Sequence, residues 1–237
     1  MIMSIFGFEE KIVFKDGYVN IIEIYNKKLF YNIIKLLNCY NSEYDNQIVL
    51  YENDKRIEIE KNVFVLSDIF NIDYNSKKII NKLYNIISDN VHNRQDDELE
   101  NINLKLRSYL IEEINELPFE FSINSDIDVN DILKLYNLKI DTDCYDSLVD
   151  NIEYIINIIS TLKIASVLVI PNLKVYLDEK ELLEIYKYSI YNNVRLLIIE
   201  NNKCEKIMKY ERKNIIDEEF DEIWNTIHLL STIHRCH

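Results

Sequence analysis

The sequence predicts an α/β fold that is interrupted by a helical insertion. Two continuous apolar runs, 165–170 and 194–199, are rich in β-branched residues and flank a stretch with the period of an amphipathic helix. Such runs are typical of parallel strands in a sheet that is covered on both faces. Between 67 and 140 the pattern is mostly helical. We therefore expect an α/β head domain, 1–66 and 141–237, with an inserted helical leg domain, 67–140.

The first part of the chain alternates short strand patterns with one helix. Asp16-Gly17 marks a turn, and apolar residues at helical spacing predict a helix over 26–39. A turn sequence at 52–55 separates two strand patterns and predicts a hairpin. The predicted strands are 2–8, 11–14, 18–24, 48–51, 56–59 and 63–66.

The central and C-terminal helices follow from apolar period and capping residues. Asn75 is the expected N-cap of the first leg helix, and a second leg helix keeps its period up to Pro118. Asp178 and Glu181 fit a capping box at the start of the helix between the two apolar runs. Further helices are expected over 131–136 and 148–162.

The charge balance disfavours nucleic acid as a partner unless the charges are segregated. The chain has 41 acidic and 27 basic side chains and a formal net charge of -14. A polyanion is repelled by such a protein as a whole. It can still be bound where basic residues are gathered on one surface, or where divalent cations neutralise carboxylates locally.

The few glycines argue against a nucleotide-binding enzyme. Phosphate-binding loops need glycine where the backbone approaches the ligand or takes positive φ. The chain has only Gly7 and Gly17, and neither motif can be built from them. Scattered cysteines without a paired spacing indicate reduced thiols, and no apolar run reaches the length of a membrane span, so we expect a cytoplasmic protein.

The order of these parts resembles the Csn-two (Csn2) family, the DNA-binding adaptation protein of type II-A CRISPR systems, in its short form. The similarity lies in the strand-rich start, the Ser67-Asp68-Ile69-Phe70 entry to the leg, and Asn115-Glu116-Leu117-Pro118-Phe119-Glu120-Phe121. It continues through 167–172, 177–181 and 195–200. The C-terminal segment 224–237 departs from the short form, because it is longer and more helix-like.

The resemblance implies a degenerate P-loop-like α/β head with an inserted α-helical leg domain and no catalytic activity. It implies a homotetrameric ring that encircles linear double-stranded DNA at its ends without sequence specificity. Calcium would be required, and the partners would be the CRISPR adaptation integrase and the type II effector nuclease. The metal ligands are then expected to be Glu116, Glu120, Asp126 and Asp128. The expected DNA-binding residues are Lys77, Lys78, Lys82, Lys105 and Arg107.

Other interpretations of these residues stay open. The acidic cluster also fits a solvated surface, and the leg cations fit the polar face of any amphipathic helix. Five further cations between 203 and 213 are interspersed with acids and favour a solvated loop or edge strand. A metal-dependent nuclease or phosphohydrolase that uses Glu200 with magnesium is the alternative function. A third possibility is an adaptor that contacts only protein.

Overall fold

The computed structural model describes residues 1–39, 47–94, 97–123, 127–141, 147–204 and 206–219, and the backbone of 222–225. The chain divides into two compact units, a sheet unit (Met1–Asp73 with Asp143–His237) and a helical unit (Tyr74–Thr142). The sequence predicted domain boundaries between residues 66 and 67 and between residues 140 and 141. Those boundaries refer to domains that fold independently, so they stay a prediction.

The described elements include ten strands and seven α-helices. The strands are β1 (Ile2–Ile5), β2 (Ile12–Val13), β3 (Val19–Ile24), β4 (Ile48–Glu52), β5 (Lys55–Ile57), β6 (Val63–Val65), β7 (Val167–Pro171), β8 (Arg195–Glu200), β9 (Glu211–Ile216) and β10 (Glu222–Asn225). The α-helices are α1 (Lys27–Asn38), α2 (Ile59–Asn62), α3 (Lys77–His92), α4 (Glu98–Ile114), α5 (Val129–Leu135), α6 (Leu148–Leu162) and α7 (Glu179–Tyr191).

A mainly parallel sheet of six strands forms the centre of the sheet unit. Its order is β10-β9-β3-β8-β7-β6, and only β10 runs antiparallel to its neighbour. Strands β7 and β8 are adjacent and parallel, with α7 as their crossover, which confirms the βαβ unit predicted from the two apolar runs. The capping box of Asp178 and Glu181 at the start of α7 is also confirmed.

A smaller antiparallel sheet, ordered β2-β1-β4-β5, packs with α1 against one face of the large sheet. The β4–β5 hairpin is confirmed, and its turn residues Asn53 and Asp54 both have positive φ, as this tight turn requires. The opposite face of β8 packs against α7, which in turn packs against α6. The large sheet is therefore covered on both faces, as its near-continuous apolar strands predicted.

The helical unit is held together by α3 and α5. The Tyr84 hydroxyl on α3 donates to the backbone oxygens of Leu133 and Leu138, at 3.3 and 3.0 Å. Asn75 is not the N-cap of α3, so that prediction is wrong by one residue, because the cap is Ser76. The Asn75 amide group instead pairs with the backbone N–H and C=O of Ile140.

Helix α4 forms where the apolar period predicted it, but its apolar side chains find little cover. Asn103 is its buried residue, whereas Ile102, Leu106 and Tyr109 are exposed. No helix within the described ranges is long and apolar enough to cross a membrane. The segment 224–237, expected to be helix-like, begins within strand β10, and 226–237 lies outside the described residues.

Candidate functional site

The carboxyl edge of the large sheet is the place where this topology would hold a ligand. After β3 the chain continues to β6 at one edge of the sheet, and after β8 it continues to β9 on the other side of β3. Ligands of open α/β sheets bind outside the carboxyl ends of the strands, at the point where successive connections leave in opposite directions. That point lies between β3 and β8.

The connection from β3 to α1 leaves no space for a phosphate-binding loop. It consists of Tyr25 and Asn26 alone. The Asn26 side chain accepts hydrogen bonds from the backbone N–H groups of Lys28 and Leu29, both at 3.1 Å. The first amides of α1, which bind phosphate in nucleotide-binding proteins, are therefore partly occupied by the protein's own N-cap.

A buried ion pair lies at this edge of the sheet. Glu23 of β3 is fully buried, and its Oε1 lies 2.5 Å from Nζ of Lys213 on the neighbouring strand β9. The same oxygen accepts from the backbone N–H of Cys204 at 3.2 Å, and Lys213 also donates to the carbonyl of Cys204. Tyr25 donates its hydroxyl to Glu23 Oε2, and burial together with this carboxylate raises the pKa of Tyr25 to about 12. The pair therefore fastens the chain after β8 to β3 and β9.

A second buried group of charges adjoins the first. Glu211 at the start of β9 lies with Oε1 2.6 Å from Nζ of Lys174 and 2.8 Å from the Tyr186 hydroxyl, which donates to it. Its Oε2 accepts from the backbone N–H of Met208 at 3.0 Å. Burial and the nearby Glu211 carboxylate raise the pKa of Tyr186 well above its ordinary value, so this phenol stays neutral. The hydrogen bonds supply the compensation that a buried charge requires.

Glu200, at the end of β8, is the third buried carboxyl group of a network that contains two lysines. It is 1% exposed and accepts from the backbone N–H of Lys174 at 2.8 Å. Burial raises the pKa of Glu200 to about 7, against the lowering effects of that hydrogen bond and of the Lys174 ammonium, while Glu23 and Glu211 raise it further. Glu200 is the residue of the alternative nuclease hypothesis, and here it is enclosed by protein.

Side chains of the protein itself also occupy the opening between β3 and β8. Asn201 donates from Nδ2 to the carbonyl of Ile24 at 2.7 Å, and its backbone N–H donates to Asn172 Oδ1 at 3.0 Å. Asn172 has φ of 52°, which asparagine tolerates better than most residues. These bonds join the carboxyl ends of three strands. The arrangement is suited to holding loops in place, because each of its buried carboxyl groups is bonded to a lysine or a backbone N–H and is withdrawn from solvent.

Sequence reasoning singled out Glu200 but did not identify this buried network. The available signal was a carboxylate within or at the end of an apolar strand, as in Ile21-Ile22-Glu23-Ile24 and Ile198-Ile199-Glu200. Its lysine partners gave no signal, because Lys213 stands in a charged sequence that favours solvent exposure.

Three of the four expected metal ligands, Glu116, Glu120 and Asp128, lie within the described residues and are exposed. Glu116 and Glu120 follow α4, and Asp126 lies outside the described residues. Asp128 precedes α5, accepts from Asn130 Nδ2 at 3.2 Å and lies 3.9 Å from His92 Nε2. Within the ranges that the structure describes, no three His, Cys, Asp or Glu side chains converge as a metal site. The calcium site stays a prediction.

The expected DNA-binding cations of the helical unit do not share one face with a single sign of charge. Lys77, Lys78 and Lys82 lie on α3, with Lys77 and Lys82 exposed. Lys105 and Arg107 on α4 are two residues apart and therefore point to nearly opposite faces of the helix. Each also shares its face with acids seven residues away, which are Glu98 and Glu112 for Lys105 and Glu100 for Arg107.

Most cations between 203 and 213 are engaged within the sheet unit. Lys206 pairs with Glu179 at 2.6 Å, and Lys213 belongs to the buried pair. Arg212 donates to the carbonyl of Val13 at 2.5 Å, and burial lowers the pKa of its guanidinium. The interpretation of this cluster as a solvated loop or edge strand is wrong for Lys213, which is buried in the sheet.

The fold and this edge define a class of protein: an α/β protein with a mainly parallel sheet, whose carboxyl edge is filled by a buried ion pair and by hydrogen bonds of its own side chains. The sequence comparisons give the family. A family model described as CRISPR-associated protein (Cas_Csn2) matches residues 39–220, well over half of the chain. The chain therefore belongs to the CRISPR-associated Csn2 family, as its resemblance predicted.

Two known proteins illustrate the extent of the similarity. The CRISPR-associated protein Csn2 of Enterococcus faecalis is 25% identical over 194 residues, which is 81% of this chain and 84% of that protein. A solved structure titled as an ABC transporter ATP-binding protein from Pyrococcus furiosus covers 86% of this chain and 88% of its own, at 10% identity and a TM-score of 0.38. The second likeness is too weak to carry an argument about function.

Proposed function

We propose that this protein is a non-enzymatic protein that binds the ends of double-stranded DNA as a homotetrameric ring and takes part in spacer acquisition in a type II-A CRISPR system. The observation that carries the proposal is membership of the Csn2 family over residues 39–220. In this proposal the sheet unit is a degenerate P-loop-like head, the helical unit is its leg, and the protein works in the cytoplasm.

The buried network supports a binding role over catalysis. The buried carboxylates of the network are paired with lysines or hydrogen-bonded to backbone amides, and Glu200 is 1% exposed. A carboxylate that holds magnesium for hydrolysis must reach a solvent-accessible substrate. The same residues serve well as a rigid support for the surface of the head.

The proposal assigns calcium the role of neutralising acids near the DNA path. Glu116, Glu120, Asp126 and Asp128 supply the carboxylate oxygens that calcium prefers. A bound divalent cation reverses the local charge, which a chain of net charge -14 needs on any surface that approaches a polyanion. The integrase and the effector nuclease of the same system are the proposed protein partners.

The test compares linear and covalently closed duplex of the same sequence in a mobility-shift assay, with calcium and with a chelator. A ring that threads onto ends retains the linear form and releases the closed one. Equal retention of both forms would refute the ring, and undiminished retention of linear duplex after exhaustive chelation would refute the calcium requirement. Light scattering of the same samples should report a tetramer with calcium.

An activity assay addresses the alternative function separately. The protein is incubated with magnesium and end-labelled duplex, and in parallel with nucleotides. Turnover that is abolished in Glu200→Ala would establish the nuclease or phosphohydrolase in place of the proposed function. We expect no turnover in either protein.

A further inference from the structure

Helix α1 presents a surface of uniform positive charge in this acidic chain. Lys27, Lys28, Tyr31 and Lys35 are exposed, and Tyr31 is 61% exposed. With 3.6 residues per turn, these four side chains fall within an arc of about 100°. The opposite side of the helix packs into the core through Phe30, Ile33, Ile34 and Leu37. We call the exposed side the α1 face.

No acidic residue dilutes this charge from within the helix. Each of the other described α-helices contains at least one Asp or Glu, whereas α1 contains none. The sequence has no acid from residue 24 to residue 42. Within the described part of the chain, the ammonium groups of Lys27, Lys28 and Lys35 make no ion pair.

The buried network removes the acid that lies nearest in sequence. Glu23 precedes α1 by only a few residues, but its charge is neutralised by Lys213 at 2.5 Å and it is fully buried. At the other end of α1, Asn38 accepts from the Ser67 hydroxyl at 3.2 Å. The following Asp68 carboxylate accepts from the backbone N–H groups of Phe70 and Asn71. The field of the three lysines is therefore not opposed by Glu23, whereas Asp68 is an exposed carboxylate beyond the other end of α1.

We infer that the α1 face is the surface of the head that contacts the phosphate backbone of duplex DNA, an inference that rests on the proposed function. The distance along α1 from Lys27 to Lys35 is about 12 Å. One strand of a duplex has a phosphate for about every 3.4 Å of axial rise, so three lysines can meet phosphates of the same strand. Tyr31 lies between them and can donate its hydroxyl to a phosphate oxygen.

The α1 face fits this partner better than the cations of the helical unit do. Lys105 and Arg107 on α4 share their faces with Glu98, Glu112 and Glu100, so approach of a polyanion brings repulsion with the attraction. Helix α1 contains no acid, so no residue of the helix itself opposes its attraction for a polyanion. Contacts between these side chains and phosphate oxygens depend on charge and position, so they carry no base specificity.

The test measures the salt dependence of binding to a linear duplex by fluorescence anisotropy in the full chain. One variant carries Lys27→Gln, Lys28→Gln and Lys35→Gln. The matched control carries Lys180→Gln, Lys187→Gln and Lys203→Gln, which removes the same number of exposed cations from surfaces that contain acids. Unfolding midpoints by circular dichroism confirm that both variants fold like the unsubstituted chain.

We expect the slope of log K against log salt to fall in magnitude by about 2.7 in the α1 variant, which is about 0.9 for each lost phosphate contact. Affinity at about 0.1 M salt should fall at least about tenfold, whereas the control should stay within about threefold. Equal behaviour of the two variants would overturn the inference and leave the proposed function intact. Failure of the unsubstituted protein to bind duplex would overturn both.

An anionic membrane surface also carries phosphate groups, and a second arm of the experiment distinguishes binding to such a surface from binding to duplex DNA. Vesicles of phosphatidylserine and phosphatidylcholine replace the duplex in the same titration. We expect weaker binding to vesicles than to duplex. Vesicle binding of equal strength that is lost in the α1 variant would overturn the assignment of this face to DNA.

Discussion

Glu200→Gln should remove a large part of the pH dependence of folding stability. Burial raises the pKa of Glu200 from 4.5 to about 7. Below pH 4.5 this carboxyl group is protonated in both the folded and the unfolded chain. Between pH 4.5 and 7 the folded protein keeps a proton that the unfolded chain releases, so stability falls as pH rises. Above pH 7 the loss is complete.

The size of the effect follows from the shift. One pKa unit corresponds to about 1.4 kcal/mol, so a shift from 4.5 to about 7 corresponds to a loss of roughly 3 kcal/mol between acid and alkaline pH. The side chain is 1% exposed, which leaves little screening by solvent. Glutamine is neutral at every pH, has nearly the same shape, and can still accept from the Lys174 backbone N–H.

Urea unfolding of both proteins at pH 5 and pH 8 measures this difference. The two proteins should have similar stability at pH 5, and Glu200→Gln should be more stable at pH 8 by up to roughly 3 kcal/mol. The two proteins share every other ionisable group, so the contributions of those groups cancel. Parallel pH dependence in the two proteins would show that Glu200 ionises as it does in water.

Three further substitutions test the network and the start of α1 by the same unfolding assay. Lys213→Met leaves Glu23 buried without its partner and should lower the free energy of unfolding by about 3–5 kcal/mol. Lys203→Met on the surface should change it by no more than about 0.5 kcal/mol. Similar losses in both variants would contradict the buried pair. Asn26→Ala removes the N-cap of α1 and should cost about 1 kcal/mol, and no loss would mean that water replaces the cap. Asn201→Ala removes the bond to the Ile24 carbonyl and should cost about 1–3 kcal/mol, a value that an unchanged midpoint would refute.

The proposed function and the α1 face depend on the same separation of charge. The network keeps Glu23 and Glu211 inside the sheet unit, each beside a lysine. The lysines of α1 remain at the surface without acids in the same helix. A chain of net charge -14 can then offer one cationic surface while its acidic excess lies elsewhere.

The sequence by itself determined the elements that depend on neighbours along the chain. The apolar runs predicted β7 and β8 and their crossover helix, the Asn53-Asp54 turn predicted the hairpin, and Asp178 with Glu181 predicted the start of α7. These features depend only on local period, turn geometry and capping, which are determined by residues close together in the sequence. The same local information predicted α4 as a helix.

Only the tertiary structure decided what those elements contact. The period of α4 predicted an apolar stripe, but whether another helix covers a stripe depends on packing, and Ile102, Leu106 and Tyr109 are exposed. Asn75 fitted an N-cap by position, yet the chain brings Ile140 within reach of its side chain. Lys213 has the sequence context of a surface residue and is buried, because β9 pairs with β3 and places it beside Glu23. Pairing between strands that are distant in sequence determines which charged residues come into contact, and this pairing cannot be inferred from the residues near each strand.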